Sequence, residues 1–462
     1  MTVYTIFLYI GVAALVLSLL RYAFSKPNSY FFNFLQNFIG SLFIFSGFVK
    51  AVDPMGTSFK MHDYFQALNI QFMDSFSTPI AVFMIVLEIV LGLTLIIGWR
   101  PKLNLSLLLL MTLFFTFLTG FTYLSGYTPT PLFWTLLVLA NVGFAIYGII
   151  AKRPLKQLGF AIGLLSLIGI FITIKFTNLS FASEFAETKM KVTDCGCFGD
   201  FIKLKPWETF WKDVFLDILI LILAVNYNRV STFSSSIFRS IVAYGSFLLT
   251  TLFCLYNFIL NEPIIDFRPY KIGSNLNEMR TILRPEKRDF VFIYENKKTG
   301  ETKEFKTSEL SNITEDWSYK DRKDIVLDPG IPAKINNLFI FNENQDDITD
   351  DLLNDEAYSL IVVSYKISNA KREYFASKFE PLAQKCKENG ITFYGLSSED
   401  PSDFIAKDKL SFQFYMADET PLKTIMRSNP GLLLLKNGVV VNKWHARHLP
   451  TFDQLNQVYF SK

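Results

Sequence analysis

The chain has 462 residues, half of them hydrophobic, and its 45 basic and 42 acidic residues give a formal net charge of +3. So small a charge, without an arginine-rich or aromatic-interleaved basic patch, argues against a nucleic-acid partner. The apolar residues occur in blocks of about twenty, the length that crosses a lipid bilayer, which excludes an ordinary soluble protein.

The charged residues are concentrated in the C-terminal part of the chain. Residues 1–260 are mostly apolar, whereas residues 261–462 resemble an ordinary soluble sequence. The chain is therefore predicted to form an α-helical polytopic membrane bundle followed by an α/β domain. Val3–Tyr22 lacks a basic flank and a small-residue cleavage site, so it is predicted to be a retained first span.

Taking roughly twenty apolar residues as the crossing length, we predict about eight spans. They are Val3–Leu20, Phe31–Val49, Ile80–Trp99, Leu103–Leu124, Leu132–Ile150, Leu158–Phe176, Trp207–Val225 and Ile237–Leu260.

Basic residues predict how the bundle is oriented. Every second span is followed by positive charge, as at Arg21, Arg100, Arg153 and Arg229. By the positive-inside rule these links are cytoplasmic, which places the remaining links and the whole C-terminal domain in the periplasm, outside the inner membrane. In the outer link Asp53–Phe76, a short amphipathic helix is predicted to lie in the membrane interface.

Two of the four cysteines, Cys195 and Cys197, lie in the run Asp194-Cys195-Gly196-Cys197-Phe198-Gly199-Asp200. A one-residue spacer closes only a small, strained disulfide ring, and strained disulfides are labile and oxidising. A redox pair is therefore one interpretation, and a structural disulfide is the second. Paired metal ligands are the third, although His62 is the only histidine in the membrane half to assist them.

The charges next to the cysteines oppose one another. Asp194 and Asp200 disfavour a thiolate, unless a nearby lysine offsets them. Three lysines are close enough in sequence to do so: Lys191, Lys203 and Lys205.

Other charged residues lie within or at the ends of the predicted spans. Glu88 and Asp217 fall near the middle of their spans, where a carboxylate marks a proton path or a quinone headgroup site, or else fixes helix packing. For Asp217 we favour packing, because Lys212-Asp213 lies one turn away. Lys50 and Asp53 close the second span, either extending to the interface or contacting the cysteine loop.

The C-terminal part begins at Glu262-Pro263. Two short β-like runs, Phe290–Tyr294 and Leu338–Phe341, alternate with polar turns in residues 264–355. From residue 358 the pattern predicts an α/β sandwich that ends in a hairpin with an Asn-Gly turn. Its strands are Leu360–Ser364, Ile391–Leu396, Phe412–Met416, Gly431–Leu435 and Val439–Trp444, and its helices are Ala370–Glu388, Pro421–Met426 and Pro450–Phe460.

The order of these elements resembles a thioredoxin-like domain over residues 341–462, with 261–340 as a β-rich periplasmic linker. Asn429-Pro430 occupies the place of that family's cis-proline. The family places Cys-x-x-Cys after the first of these strands, but this chain has Tyr365-Lys366-Ile367-Ser368 there. The resemblance therefore implies the fold without its redox dithiol, as a docking module. Cys254 and Cys386 are interpreted as small apolar residues.

The membrane half resembles the DoxX/MauE family of redox-associated membrane proteins, in particular its large Bacteroidetes-type members with a C-terminal extension. The resemblance covers residues 30–125 and 190–225. It lies in Gly47-Phe48-Val49-Lys50-Ala51-Val52-Asp53-Pro54, Glu88, the Cys195–Asp200 motif and Lys212-Asp213. It implies periplasmic thiol–disulfide exchange or electron transfer. The MauE branch is associated with maturing a disulfide-rich enzyme subunit, and the DoxX branch with quinone-linked sulfur oxidation.

Together, these features predict an inner-membrane protein that exchanges disulfides or electrons between a membrane partner, such as a quinone, and a periplasmic client. Cys195 and Cys197 would be the redox pair, with Lys50, Asp53, Glu88, Asp194, Asp200 and Asp213 as supporting residues. The alternative is a non-enzymatic membrane scaffold, whose tail binds a cell-envelope partner.

Overall fold

The computed structural model describes residues 3–24, 29–125, 192, 196–202, 204–328 and 330–461. The chain divides into two compact units, Met1–Phe267 and Arg268–Lys462. The predicted spans Leu132–Ile150 and Leu158–Phe176 lie outside the described residues, as do Asp194 and Cys195. The predicted division at residues 260 and 340 stays a prediction.

The first unit is helical. Its helices are α1 (Val3–Phe24), α2 (Tyr30–Val52), α3 (Pro54–Ala67), α4 (Ser77–Ile97), α5 (Pro101–Ser125), α6 (Pro206–Val225) and α7 (Ser236–Leu255). A 3₁₀ turn, Gln71–Phe76, leads into α4, and α7 continues as a π-helical turn, Tyr256–Leu260. The helix predicted for the Asp53–Phe76 link is α3, which begins at a proline preceded by the capping carboxylate of Asp53.

Five helical segments of the described residues are long and apolar enough to cross a membrane: Val3–Ala23, Tyr30–Val52, Gln71–Ile97, Pro101–Tyr123 and Ser236–Leu260. Each overlaps a predicted span. The span predicted at Trp207–Val225 is helical as α6, but it is not one of the five. Its sequence includes Glu208, Lys212, Asp213 and Asp217, so α6 carries more charged residues than the five. The total number of spans stays a prediction.

Helices α2 and α4 approach each other closely at glycines. A Cβ atom added to Gly92 of α4 would lie 2.7 Å from the carbonyl oxygen of Gly40 in α2, and one added to Gly47 would lie 2.6 Å from Ile89. Small residues at such crossings allow the backbones of membrane helices to touch. The close approach brings Lys50, near the end of α2, within reach of Glu88, near the middle of α4.

The second unit is α/β and contains two sheets. The first has the order β2-β1-β3 and is antiparallel, with β1 at Lys287–Asn296, β2 at Thr302–Lys306 and β3 at Trp317–Asp328. Sequence reasoning recognised only the centre of β1, since β3 is mostly exposed and carries charged residues at many positions.

The second sheet has six strands in the order β4-β7-β6-β5-β8-β9. They are β4 (Ile340–Phe341), β5 (Tyr358–Ser364), β6 (Thr392–Ser397), β7 (Phe414–Ala417), β8 (Gly431–Lys436) and β9 (Val439–His445). β5 lies at the centre, parallel to β6 and antiparallel to β8. Each of the five predicted strands overlaps one of these.

Short helices cover the six-stranded sheet. They are α8 (Leu276–Arg280), α9 (Thr349–Leu353), α10 (Arg372–Tyr374), α11 (Glu380–Glu388), α12 (Ser402–Asp408), α13 (Glu419–Ile425) and α14 (Phe452–Leu455). The single helix predicted at Ala370–Glu388 is instead α10 and α11 joined by a π-helical turn, Phe375–Phe379. The Asn429–Pro430 peptide bond is cis.

The residues of β5 alternate between two hydrophobic cores, one on each face of the sheet. Ile361 and Val363 belong to one core, and Leu360 and Val362 to the other. Alternation along a strand sends successive side chains to opposite faces. A strand buried on both faces reads as a continuous apolar run, which is why the sequence located β5 within two residues at each end.

We expect Gly92→Ala to destabilise the helical unit. Its new methyl group would meet the α2 backbone, and overpacking of this kind costs about 1–3 kcal/mol in the free energy of unfolding. The measurement is the unfolding temperature of the purified full-length protein in detergent. The matched control is Gly245→Ala in α7, where an added Cβ meets none of the described residues within 4 Å. Equal unfolding temperatures for the two variants would contradict the close packing of α2 on α4.

Candidate functional site

The glycines of the Cys-Gly-Cys-Phe-Gly-Asp run make its tight turns possible. Gly196 and Gly199 have φ angles of +60° and +51°, a region that side chains disfavour. The Gly199 amide donates a hydrogen bond to the Gly196 carbonyl over 3.0 Å. The backbone conformation of the turn therefore favours glycine at positions 196 and 199, in addition to any role of the cysteines.

The turn is anchored to the helical bundle on both sides of Cys197. The Ser46 hydroxyl of α2 donates to the Cys197 carbonyl oxygen over 2.9 Å. The next side chain, Phe198, is buried among Ile6, Leu42 and Leu216. Cys197 itself is half-buried, so its sulfur lies at the bundle and not in an extended loop.

Lys50 and Glu88 form a buried ion pair between α2 and α4. The Lys50 ammonium lies 2.7 Å and 3.0 Å from the two carboxylate oxygens of Glu88, and the residues are only 6% and 3% exposed. The same ammonium lies 5.0 Å from the centre of the Phe115 ring of α5, a cation–π distance. Lys50 therefore points into the bundle. The sequence had left open a second arrangement, in which this side chain extends to the membrane interface.

A second buried ion pair lies on α6. The Lys212 ammonium binds the Asp213 carboxylate through Oδ1 and lies 5.6 Å from the centre of the Phe198 ring. The other carboxylate oxygen, Oδ2 of Asp213, is buried without a hydrogen-bond partner among the described residues.

Two small cavities flank the Lys50–Glu88 pair, and Cys197 lines both of them. One, of about 30 Å³, is also lined by Lys60 and Gly196. The other, of about 20 Å³, is also lined by Phe198 of the cysteine motif and by residues of α2, α5 and α6: Leu42, Phe43, Ser46, Thr112, Lys212, Asp213 and Leu216. Each has room for a water molecule beside the sulfur and the charged groups.

The structure brings four of the predicted site residues together: Lys50, Glu88, Cys197 and Asp213 line one cavity. Asp53 instead caps α3, since its carboxylate accepts a hydrogen bond from the Gly56 amide over 3.1 Å. Asp200 lies in the turn after Gly199 and does not line either cavity. Cys195 and Asp194 lie outside the described residues.

Among the described residues, the lysines that line the cavities of Cys197 are distant from it in sequence. Lys191 and Lys203 lie outside the described residues, and Lys205 lines neither cavity. The cationic groups in the two cavities are Lys50, Lys60 and Lys212. The sequence offered one clue to Lys212, namely a Lys-Asp pair at the start of an otherwise apolar helix.

In the part of the chain that the structure describes, no three His, Cys, Asp or Glu side chains are placed to hold a metal ion. The cavities, at about 30 Å³ and 20 Å³, are also far smaller than the roughly 300–1,000 Å³ pockets of organic cofactors.

Residues 28–130 match the family model described as Methylamine utilisation protein MauE. The matched stretch contains α2 to α5, with Lys50 and Glu88, and ends before the cysteine motif. The match supports a membrane protein of the MauE type and suggests a redox or electron-transfer system. No curated protein and no solved structure matches the chain.

We expect Lys50→Met and Glu88→Gln each to destabilise the protein by about 3–5 kcal/mol, because each leaves a buried charge without its counter-ion. Replacing both residues with methionine should cost less than the sum of the two single changes. The measurement is a double-mutant cycle of unfolding free energies in detergent. Additive losses would show that the two side chains do not interact.

An exposed ion pair provides the control for this cycle. Lys298 and Asp316 lie 2.8 Å apart with side chains that are 78% and 50% exposed. Exposed pairs contribute about 0–1 kcal/mol, so Lys298→Met should leave the unfolding free energy nearly unchanged.

Proposed function

We propose that the protein is an inner-membrane redox protein that exchanges disulfides with a periplasmic client through Cys195 and Cys197. The observation that carries the proposal is the shared cavity of Cys197 and two buried ion pairs, Lys50–Glu88 and Lys212–Asp213. A structural disulfide does not require charged groups buried beside its sulfur, and burying them is costly. The match to the MauE family model supports the same class of chemistry.

Electrostatics favour a reactive sulfur in this position. Ammonium groups next to a cysteine stabilise its thiolate, which is the form that attacks disulfides. Charges act more strongly in a bundle than in water, because the effective dielectric constant is lower. Lys50 and Lys212 both line the cavity of Cys197, so a thiolate there would have two cations nearby.

The exchange begins when a client thiolate attacks Cys195 of the Cys195–Cys197 disulfide, forming a mixed disulfide while Cys197 leaves as the thiolate. A second client thiolate then attacks the mixed disulfide and releases Cys195. The client loses two electrons and the pair gains them. A membrane quinone is the class of acceptor that would return the pair to the disulfide. Because Cys197 faces the cavities, Cys195 is assigned to the bond with the client.

The C-terminal unit is proposed to be a thioredoxin-like docking module that binds this client in the periplasm. Its central β5, parallel to β6 and β7 and antiparallel to β8, supports the proposed fold. After β5, where the dithiol would stand, polar contacts fill the surface. Ser364 donates to Asn429 over 2.9 Å, Asn429 donates to the Lys366 carbonyl over 2.8 Å, and the Ser368 hydroxyl donates to Glu399 over 2.8 Å. Such a surface can bind a protein but offers no thiol.

We expect Cys197→Ser to trap the client. Exchange is reversible, so the remaining Cys195 thiolate can attack a disulfide of the oxidised client, forming the mixed disulfide and releasing a client thiolate. Cys197, which would then displace the client, is missing, so the adduct should accumulate on non-reducing gels of cell envelopes. The matched control is Cys386→Ser, which alters a buried cysteine of the other unit. That control should trap nothing.

The scaffold interpretation predicts a different pattern. Both Cys195→Ser and Cys197→Ser would lower the protein's abundance equally, and neither would trap a partner. If the double variant supports growth as well as the native protein, the redox proposal is wrong.

We expect a fragment of residues 268–462 to fold and to have no disulfide reductase activity. Its cysteine, Cys386, is fully buried, and burial raises the pKa of that thiol to about 12, so it stays protonated and unreactive at neutral pH. The measurement is turnover in an insulin-reduction assay, with a dithiol-containing thioredoxin as the positive control. Turnover that disappears in Cys386→Ser would assign the chemistry to this unit.

A further inference from the structure

Asp217 of α6 is a buried carboxyl group that the proposed exchange does not use. Its exposure is 0%, and the Thr116 hydroxyl of α5 donates to its Oδ2 over 2.6 Å. Its Oδ1 is buried without a hydrogen-bond partner among the described residues. An ionisable residue within a membrane helix bundle is costly to bury and marks a functional site by default.

Asp217 adjoins the cavity of Cys197 through two neighbouring residues. Asp213, one helical turn earlier on α6, lines that cavity. Thr112, one turn before Thr116 on α5, lines it as well, and its hydroxyl faces the Asp217 carboxyl group. A proton on Asp217 is therefore separated from the cavity by one layer of polar side chains.

The other carboxylates near the cavity are held by cations. Glu88 of α4 pairs with Lys50 of α2, and Asp213 pairs with Lys212 on α6. Helix α5 contributes hydroxyl groups here, from Thr112 and Thr116. Among these carboxyl groups, Asp217 is the one whose described hydrogen-bond partner is a hydroxyl and not an ammonium group.

Reduction of the cysteine pair changes the charge of this site. A disulfide is neutral, whereas a Cys197 thiolate adds a negative charge beside the two ion pairs. An extra charge in a bundle of low dielectric constant is costly unless another charge compensates for it. Adding a proton to Asp217 removes one negative charge and keeps the net charge of the site constant.

We propose that Asp217 takes up a proton when the Cys195–Cys197 pair is reduced and releases it when the pair is oxidised again. The inference rests on the proposed exchange function. The disulfide takes up two electrons from a dithiol, together with two protons. One proton goes to the Cys195 sulfur and the other to the Asp217 carboxylate, while Cys197 remains a thiolate. Asp217 thus holds the proton, and Asp213, Thr112 and the cavity lie between it and Cys197.

Infrared difference spectroscopy tests this directly. The full-length protein is reconstituted in lipid nanodiscs and its spectrum is recorded before and after reduction with dithiothreitol. Reduction should produce the carbonyl-stretch band of a protonated carboxylic acid, shifted in D₂O. Asp217→Asn should abolish the band, and Thr116→Val should shift it by removing the hydrogen bond. Glu208→Gln, at the start of the same helix, should leave it unchanged.

A second measurement counts protons. The reduction potential of the pair is followed against pH by thiol alkylation and mass spectrometry. Each two-electron reduction should take up about two protons in the native protein and about one in Asp217→Asn.

The outcomes separate the two proposals. If alkylation shows that the pair is reduced but the carboxylic acid band is absent, or persists in Asp217→Asn, the role of Asp217 is wrong while the exchange function stands. Equal proton counts in the two proteins would also overturn it. If dithiothreitol does not reduce the pair at all, both proposals are wrong.

Discussion

The buried ion pair between Lys50 and Glu88 constrains the helical unit more than any other contact around the cavities. Its two charges lie among apolar side chains, where each would be strongly destabilising without the other. They meet only if α2 and α4 keep one register, and Gly40 and Gly92 allow the two backbones to come close enough. Phe115 and Cys197 line both of the cavities beside the pair.

Charge is distributed unevenly over the helices, and this has consequences for α6. That helix carries four ionisable side chains in 20 residues, and two of them, Asp213 and Asp217, are buried. Helix α5 packs against α6, and its Thr116 hydroxyl donates to Asp217. A helix can therefore carry more charge than a lipid-facing span and still belong to the bundle, because protein side chains replace the missing water around its charges.

In the two units, buried polar groups have different roles. In the helical unit several of them line the cavities next to Cys197, and among the described residues three carboxylate oxygens, of Asp74, Asp213 and Asp217, are buried without a hydrogen-bond partner. In the second unit the polar residues after β5 bind one another, from Ser364 through Asn429 to Lys366. The second unit has buried hydroxyl groups without a hydrogen-bond partner among the described residues as well, at Tyr270, Ser274 and Tyr394. The units therefore differ in where their buried charges lie: several of those in the helical unit line cavities beside Cys197.

The sequence by itself determined the features that depend on local pattern. Apolar blocks located the five long helices, continuous apolar runs located β5 and β8, and turn residues located the β8–β9 hairpin. Each of these follows from hydrophobicity or backbone propensity over a few consecutive residues. The same reasoning missed β3, because an exposed strand rich in charge carries no burial pattern. It also predicted one regular helix at Ala370–Glu388, where the structure has α10 and α11 joined by a π-helical turn.

Only the tertiary structure decided which distant residues meet. Lys50 and Glu88 are 38 positions apart, and both are more than 100 positions from Cys197. The sequence could mark each as unusual for its surroundings, since a charge in an apolar segment needs an explanation. It could not say that Lys50 would pair with Glu88, that Asp53 would cap a helix, or that Lys212 and not Lys205 would line the cavity. Those outcomes depend on the register and rotation of packed helices, which are set by side-chain interlocking across the whole bundle.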